Sequence, residues 1–171
     1  MGTRIEMNNF GDERALLCQF LDRYREGVIE KVAGLTHEQI NTRYVNSDST
    51  IAGLLKHLAL VEDSWFTDRL AALPMPEPWA SAPFSDDVDW DFHSASDNTL
   101  DELVELYRDA CDRSRAVLAT VNDLGQMTKI ASGRGERCSS RWVLIHMIEE
   151  TARHLGHMDI LRELTDGTTG E

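Results

Sequence analysis

The stretch SSRWVLIHMIEETARHLGHMDILRELTDG, residues 139–167, decides the architecture of this chain. Its apolar residues recur at helical spacing, and Ser139-Ser140 before them forms a typical helix N-cap. Gly167 stands just beyond the periodic segment, where helix C-termini favour glycine. The pattern therefore predicts one long helix that ends at about Leu164.

Three polar residues interrupt the inward face of this predicted helix. Glu150, His154 and His157 fall within about 60° of the direction of Val143 and Leu161 at 100° per residue. Polar side chains that face a core are unfavourable unless a partner or a ligand compensates them. Carboxylates and imidazoles are also metal ligands. We interpret this stripe as the candidate site.

Three further segments show helical periodicity. They run from about Asp12 to Val32, from the possible N-cap Asp48-Ser49 to the proline-rich run LPMPEPWASAP (73–83), and from Asn98-Thr99 to about Leu118. Four long amphipathic helices predict an all-α four-helix bundle, a fold in which sites form from facing side chains. We expect one domain over residues 1–171, with an ordered core at about 12–168.

The connection between helices 2 and 3, roughly residues 73–97, is long, acidic and aromatic. Connections of this length are usually functional or disordered, and the aromatic residues favour an ordered flap. Elsewhere, Trp65, Phe66 and Trp142 are predicted by their spacing to be core anchors. Residues 41–45 or 126–130 could each hold a short extended piece.

Composition excludes several classes of protein. A net charge of −13 disfavours nucleic acid and anionic membranes as partners. No apolar run reaches the length of a membrane-spanning helix. Cys18, Cys111 and Cys138 are scattered and odd in number, which suits a reducing cytoplasm. We therefore expect a cytoplasmic protein.

His57 is the best candidate for a ligand from a second helix, because it shares the apolar stripe of Leu54 and Val61. Catalytic zinc sites typically use three protein ligands and keep one position open. His57, Glu150 and His154 would supply that set. The structural alternatives are a satisfied core histidine at position 57 and a helix-stabilising pair of Glu150 with His154.

Other polar residues near the cluster carry weaker signals. His157 could be an alternative ligand, a proton-transfer group or a supporting neighbour. His146 fits the edge of the core, whereas Glu149 lies on a different face as a solvated charge. Arg134, Arg137 and Arg141 form a basic island near the start of the last helix, and pairing with surface acids is favoured over anion binding there.

Three segments together resemble the DinB/YfiT-like superfamily, and in particular an actinobacterial branch of it. They are KVAGLTHEQI (31–40), TIAGLLKHLALVEDSWF (50–66) and the stretch 139–167. The superfamily comprises metal-binding four-helix bundles, including mycothiol-dependent maleylpyruvate isomerase and thiol S-transferases. The resemblance implies that His57, Glu150 and His154 bind a divalent metal, usually zinc or nickel. Many members continue His-Arg-Gly-Gln where this chain reads His154-Leu155-Gly156-His157.

The resemblance also implies a function. It implies a metal-dependent transferase or isomerase that uses a low-molecular-weight thiol such as mycothiol or bacillithiol on a small-molecule substrate. His157 lies next to the expected ligands at a position where this chain departs from many members, and we expect it to be the catalytic residue, as a proton shuttle or a contact. A metal-dependent hydrolase would need the same ligands. A non-catalytic metal-binding or stress-response protein would also keep them. Dimers are common among relatives, so a homodimer is a further expectation.

Overall fold

Four long helical segments dominate the computed structural model, which describes residues 8–131 and 135–169. The α-helices are α1 (Glu13–Val32), α2 (His37–Asn41), α3 (Ile51–Glu62), α4 (Trp90–His93), α5 (Leu100–Ala119) and α6 (Ser140–Asp166). A π-helix (Asp63–Leu70) continues α3 directly, and a 3-10 helix (Ser94–Asp97) follows α4. Together with α1, α5 and α6, the combined α3 and π-helix confirm the predicted all-helical bundle.

The direction of the helices explains the long connection. Glu13 contacts Arg141 and Lys31 contacts Asp159, so α1 and α6 run in the same direction. The helix α5 lies beside the segment formed by α3 and the π-helix, and α5 runs in the same direction as that segment. The chain must therefore return along the whole length of α3 before α5 begins, which takes the segment between Ala71 and Thr99.

The ends of the helices follow from capping. Asp12, Thr99 and Ser139 accept hydrogen bonds from the first turns of α1, α5 and α6, and the cap at Ser139 confirms the one predicted for the last helix. Gly167 ends α6 in the left-handed conformation (φ 78°). The N-cap of α3 is Thr50, whose hydroxyl oxygen accepts a hydrogen bond from the N–H of Gly53. The predicted cap, Asp48-Ser49, was therefore one to two residues too early.

Three other expectations about local structure are met only in part or not at all. In the segment 41–45, where a short extended piece was expected, Asn41 is still the last residue of α2, and Thr42 after it has extended backbone angles (φ −69°, ψ 131°). Within 126–130 the structure has one isolated bridge, from Met127 to Ser139. Trp142 is 45% exposed, so it is not a core anchor, whereas Phe66 is fully buried.

The apolar core forms two clusters, one toward each end of the bundle. One centres on Leu55, Leu58 and Tyr107, and the other on Phe66, Val143 and Met147. Between them lies a buried polar layer, which contains these residues: Arg25, Glu62, Asp63, Ser114 and Thr151.

Two arginines pair with the buried carboxylates of this layer. The guanidinium of Arg25 donates to both carboxylate oxygens of Glu62, at 2.7 and 2.6 Å, and also to Asp22 at 2.9 Å. Arg113 donates to both oxygens of Asp63 at 2.8 Å, and the indole N–H of Trp79 donates to the same carboxylate at 2.9 Å. A buried charge is strongly destabilising without its partner, so the layer fixes the relative positions of the helices.

No helix in the described ranges combines the length and the hydropathy that crossing a membrane requires.

Replacing Glu62 by alanine should lower the free energy of unfolding by about 3 kcal/mol, measured by urea denaturation. The loss stays at the low end for a buried pair because Asp22 still accepts from Arg25. Glu30→Ala is the matched control, since Glu30 is exposed and lies 3.9 Å from Arg23. That control should change stability by less than about 1 kcal/mol. Equal losses in the two variants would contradict the proposed role of the layer.

Candidate metal centre

Two helices bring the predicted ligands together. The side chain of His57 projects from α3, and the side chains of Glu150 and His154 project from α6. One carboxylate oxygen, Glu150 Oε1, lies 3.3 Å from Nε2 of His57 and 3.1 Å from Nε2 of His154. All three side chains are half-buried at the joint between the helices. The spacing of four residues within α6 stacks Glu150 and His154 on one face, as the sequence indicated.

The donor atoms have the spacing that one metal ion requires. Each residue offers one ligand atom, and the three atoms lie within 4.8 Å of one another. Ligands at about 2.0–2.1 Å from a tetrahedral zinc ion stand roughly 3.3 Å apart. The measured contacts of Glu150 match that distance, so two imidazoles and a carboxylate fit a divalent cation with an open coordination position. The same contacts also serve as hydrogen bonds, so the polar atoms of the three residues have hydrogen-bond partners when no cation is bound.

Asp91 is a member of the site that sequence reasoning missed. Its Oδ2 accepts from Nδ1 of His57 at 2.8 Å, and the carboxylate is buried. This contact leaves Nε2 of His57 to face Glu150 and His154. A carboxylate behind a histidine fixes the ring and raises its basicity, an arrangement common around metal ligands. The only sequence signal was an aspartate between Trp90 and Phe92 in an aromatic connection.

The segment that carries Asp91 is held against α3 by several contacts. Phe92 packs on the ring of His57, with ring centroids 4.9 Å apart. Lys56 is buried and donates to Ser94 Oγ and Asn98 Oδ1, each at 2.8 Å. A Cβ at Gly53 would lie 2.8 Å from the Phe92 ring, so only glycine allows this approach. The predicted ordered flap is therefore a wall of the site.

The carboxylates set the charge state of the metal-free cluster. Burial alone would lower the pKa of His57, but its hydrogen bonds with Asp91 and Glu150 outweigh this and raise the pKa to about 9. Hydrogen bonds from His154 and then His57 hold the pKa of the Glu150 carboxyl well below its ordinary value. At neutral pH the metal-free cluster therefore contains a protonated His57 beside an ionised Glu150.

His157 lies next to the three residues and is more exposed. Its Nδ1 is 3.4 Å from Nδ1 of His154, and the ring centroids are 5.4 Å apart. Partial burial, then the nearby charges of His154 and Arg153, lower the pKa of His157 from its ordinary value. His157 is therefore neutral at pH 7 and able to accept a proton.

The remaining polar candidates lie away from the cluster. His146 stacks on Trp142 and meets Trp65 edge-on, at centroid distances of 5.0 and 4.8 Å, so it belongs to the edge of the core. Of the basic island, Arg141 pairs with Glu13, as expected for a surface arginine. Arg137 donates to the Thr128 carbonyl, and Arg134 lies outside the described residues.

Comparisons with known proteins identify the family of the chain and support its fold. A profile of the mycothiol-S-transferase family matches residues 16–167, which is most of the chain. A crystal structure of a conserved protein from Enterococcus faecalis superposes with a TM-score of 0.71 at 16% sequence identity, covering 93% of this chain and 100% of that one. At that identity the likeness shows the fold alone. No curated protein matches the chain at a significant level.

Binding of Zn²⁺ to the metal-free protein should depend on pH through His57. Below its pKa of about 9 the ring carries a proton that the metal must displace, so the apparent affinity should rise about tenfold per pH unit from pH 7 to 9. Isothermal titration at pH 7.5 in two buffers of different ionisation enthalpy should show about one proton released per ion. A pH-independent affinity over this range would contradict the assignment.

Asp91→Asn should weaken metal binding by about 10- to 100-fold, because a neutral amide supports the His57 ring less well than a carboxylate. Asp89→Asn is the matched control, since Asp89 is an exposed aspartate two residues away. Competition with a chromogenic chelator measures both affinities. If the two variants bind equally well, the contact between Asp91 and His57 does not support the site.

Proposed function

Because the chain belongs to the mycothiol-S-transferase family, we propose that it is a divalent-metal-dependent transferase or isomerase that uses a low-molecular-weight thiol of the mycothiol type. The proposed ligands of the metal are His57, Glu150 and His154, with zinc or nickel as the candidate ions. The proposed catalytic residue is His157. One observation carries the proposal: the two histidines and one carboxylate converge from two helices at the spacing of metal ligands.

The proposed chemistry uses the open side of this ligand set. When bound, the cation would lower the pKa of a coordinated thiol so that the sulfur is a thiolate at neutral pH. In the transfer, the sulfur forms a bond to an electrophilic carbon, and the bond to the leaving group breaks with its electron pair. With an activated double bond as acceptor, the electron pair moves onto the conjugated carbonyl instead.

The residues of this chain divide the remaining tasks. Asp91 keeps the His57 ring oriented through Nδ1, and Phe92 covers one face of that ring and excludes water from it. His157 is neutral at pH 7 and exposed, so it can accept the proton that the incoming thiol loses and return it to solvent or to the product. Glu150 contributes one of the two negative charges that would balance a divalent cation.

The ligand assignment predicts that His57→Ala loses stoichiometric metal. Elemental analysis of the purified variant should show well below one ion per chain, because two ligands on α6 bind a cation far more weakly than three. His37→Ala is the control, since His37 is an exposed histidine on α2. Full occupancy in the His57 variant would show that the metal is held elsewhere.

Thiol transfer can be measured with monochlorobimane as electrophile and mycothiol, bacillithiol or glutathione as thiol. We expect metal-dependent turnover that is fastest with mycothiol. His157→Gln should retain its metal and lose about 100-fold or more in rate, because proton transfer by a positioned side chain contributes about that much. Absence of metal-dependent turnover with every thiol would instead support the hydrolase or the non-catalytic metal-binding protein.

A further inference from the structure

A cavity of about 450 Å³ opens between the π-helix and the second half of α5. It lies apart from the metal centre, which is formed between α3 and α6. Thr67, in the lining, comes ten residues after His57, so the cavity is on the order of 15 Å from the metal ligands along the helical segment. Small-molecule sites usually have volumes of about 300–1,000 Å³. The cavity is therefore large enough to hold a ligand of its own.

One rim of this cavity is a strained turn. Ala72 adopts the left-handed conformation (φ 51°) just after the π-helix, where glycine is the usual residue. The N–H of Leu73 donates to the carbonyl of Thr67 at 2.9 Å, so the chain folds back over the helix end. Leu73 stays 51% exposed beside the cavity. Strained backbone and π-helical turns both concentrate at functional sites, and here the two border the same cavity.

Most of the cavity wall is aliphatic. Ala71, Leu73, Ala116 and Val117 supply its apolar surface, and none of the described residues that line it is aromatic. A wall without rings offers no stacking partner to a planar ligand. It instead favours a flexible hydrocarbon chain, because the hydrophobic effect is non-directional and rewards any apolar surface removed from water.

Two cations line the same cavity, and each has donors to spare. Nε and Nη2 of Arg113 donate to the buried carboxylate of Asp63 at 2.8 Å, which fixes the guanidinium and leaves Nη1 on its opposite edge. Lys129 donates to the carbonyl of Ala71 at 3.0 Å, so two further hydrogens of its ammonium remain for a ligand. Because other contacts already position both side chains, little conformational freedom is lost when an anion binds them.

The charge of the cavity is opposite to that of the whole protein. The chain has a net charge of −13, yet none of the described residues in the lining is acidic. An aliphatic wall beside two cations matches a ligand with a hydrocarbon chain and an anionic head. We propose that the cavity binds a medium-chain aliphatic carboxylate, with its chain on Leu73 and Val117 and its head on Arg113 and Lys129.

The first experiment compares two probes of equal chain length by isothermal titration of the full-length protein: octanoate and octylammonium. We expect one octanoate per chain with submillimolar affinity, and octylammonium should bind at least about tenfold more weakly because it meets like charges. The net charge of the protein attracts the cation, so preference for the anion reports the cavity itself. Octylammonium binding as tightly as octanoate would overturn the proposal.

A variant of the metal centre separates the two sites, because a carboxylate could also bind a metal ion. His57→Ala removes a proposed metal ligand and leaves the cavity intact. It should bind octanoate with the affinity of the wild type. Loss of octanoate binding in this variant would place the carboxylate at the metal centre and contradict the proposal.

The second experiment locates the bound probe. Ala116→Trp should weaken octanoate binding at least about tenfold, because the indole takes up the space of the chain. Ala119→Trp is the matched control, since Ala119 is an exposed alanine on the same helix outside this lining. Lys129→Gln should weaken octanoate binding about threefold or more by removing one exposed cation. Circular dichroism checks that each variant is folded. Equal affinities of the two tryptophan variants, or an unchanged affinity in Lys129→Gln, would overturn the assignment.

Discussion

The structure depends on the pairing of buried charges across the middle of the bundle. Arg25 with Glu62 and Arg113 with Asp63 join α1, the junction of α3 with the π-helix, and α5. Apolar layers tolerate small slips of one helix along another, but a buried charge that loses its partner is strongly destabilising. The polar layer therefore selects one alignment of the helices, and the two apolar clusters pack above and below it in that alignment.

The alignment reaches the metal centre by two routes. Along α3, Glu62 lies five residues after His57, so pairing the carboxylate with Arg25 also fixes the imidazole relative to α1, which packs along α6. Through the connection, Asp63 accepts from Trp79, which anchors the chain before it returns to place Asp91 behind His57. Both contacts of the His57 ring therefore depend on adjacent carboxylates in the buried layer.

Sequence periodicity was sufficient for the long helices and for the residues that their faces bring together. Repetition over many turns identified α1, α3, α5 and α6, and facing stripes placed His57 opposite Glu150 and His154. The role of these three as metal ligands stays a prediction. The same reasoning could not find Asp91, because its contact joins residues 34 positions apart through an irregular segment. It also misplaced Trp142, since spacing alone does not tell an inward apolar stripe from an exposed one.

The contact between Asp91 and His57 has a consequence for the mobility of the chain. The connection lies on α3 partly through this hydrogen bond, and the other nitrogen of the same ring faces the metal centre. Thermodynamic linkage is reciprocal, so a ligand that binds His57 more tightly when Asp91 is docked must also dock Asp91 more tightly, by the same factor. Metal occupancy of the centre and the order of the connection are then coupled in one equilibrium. Hydrogen exchange of the backbone amides in residues 90–97 should therefore slow when a ligand binds His57.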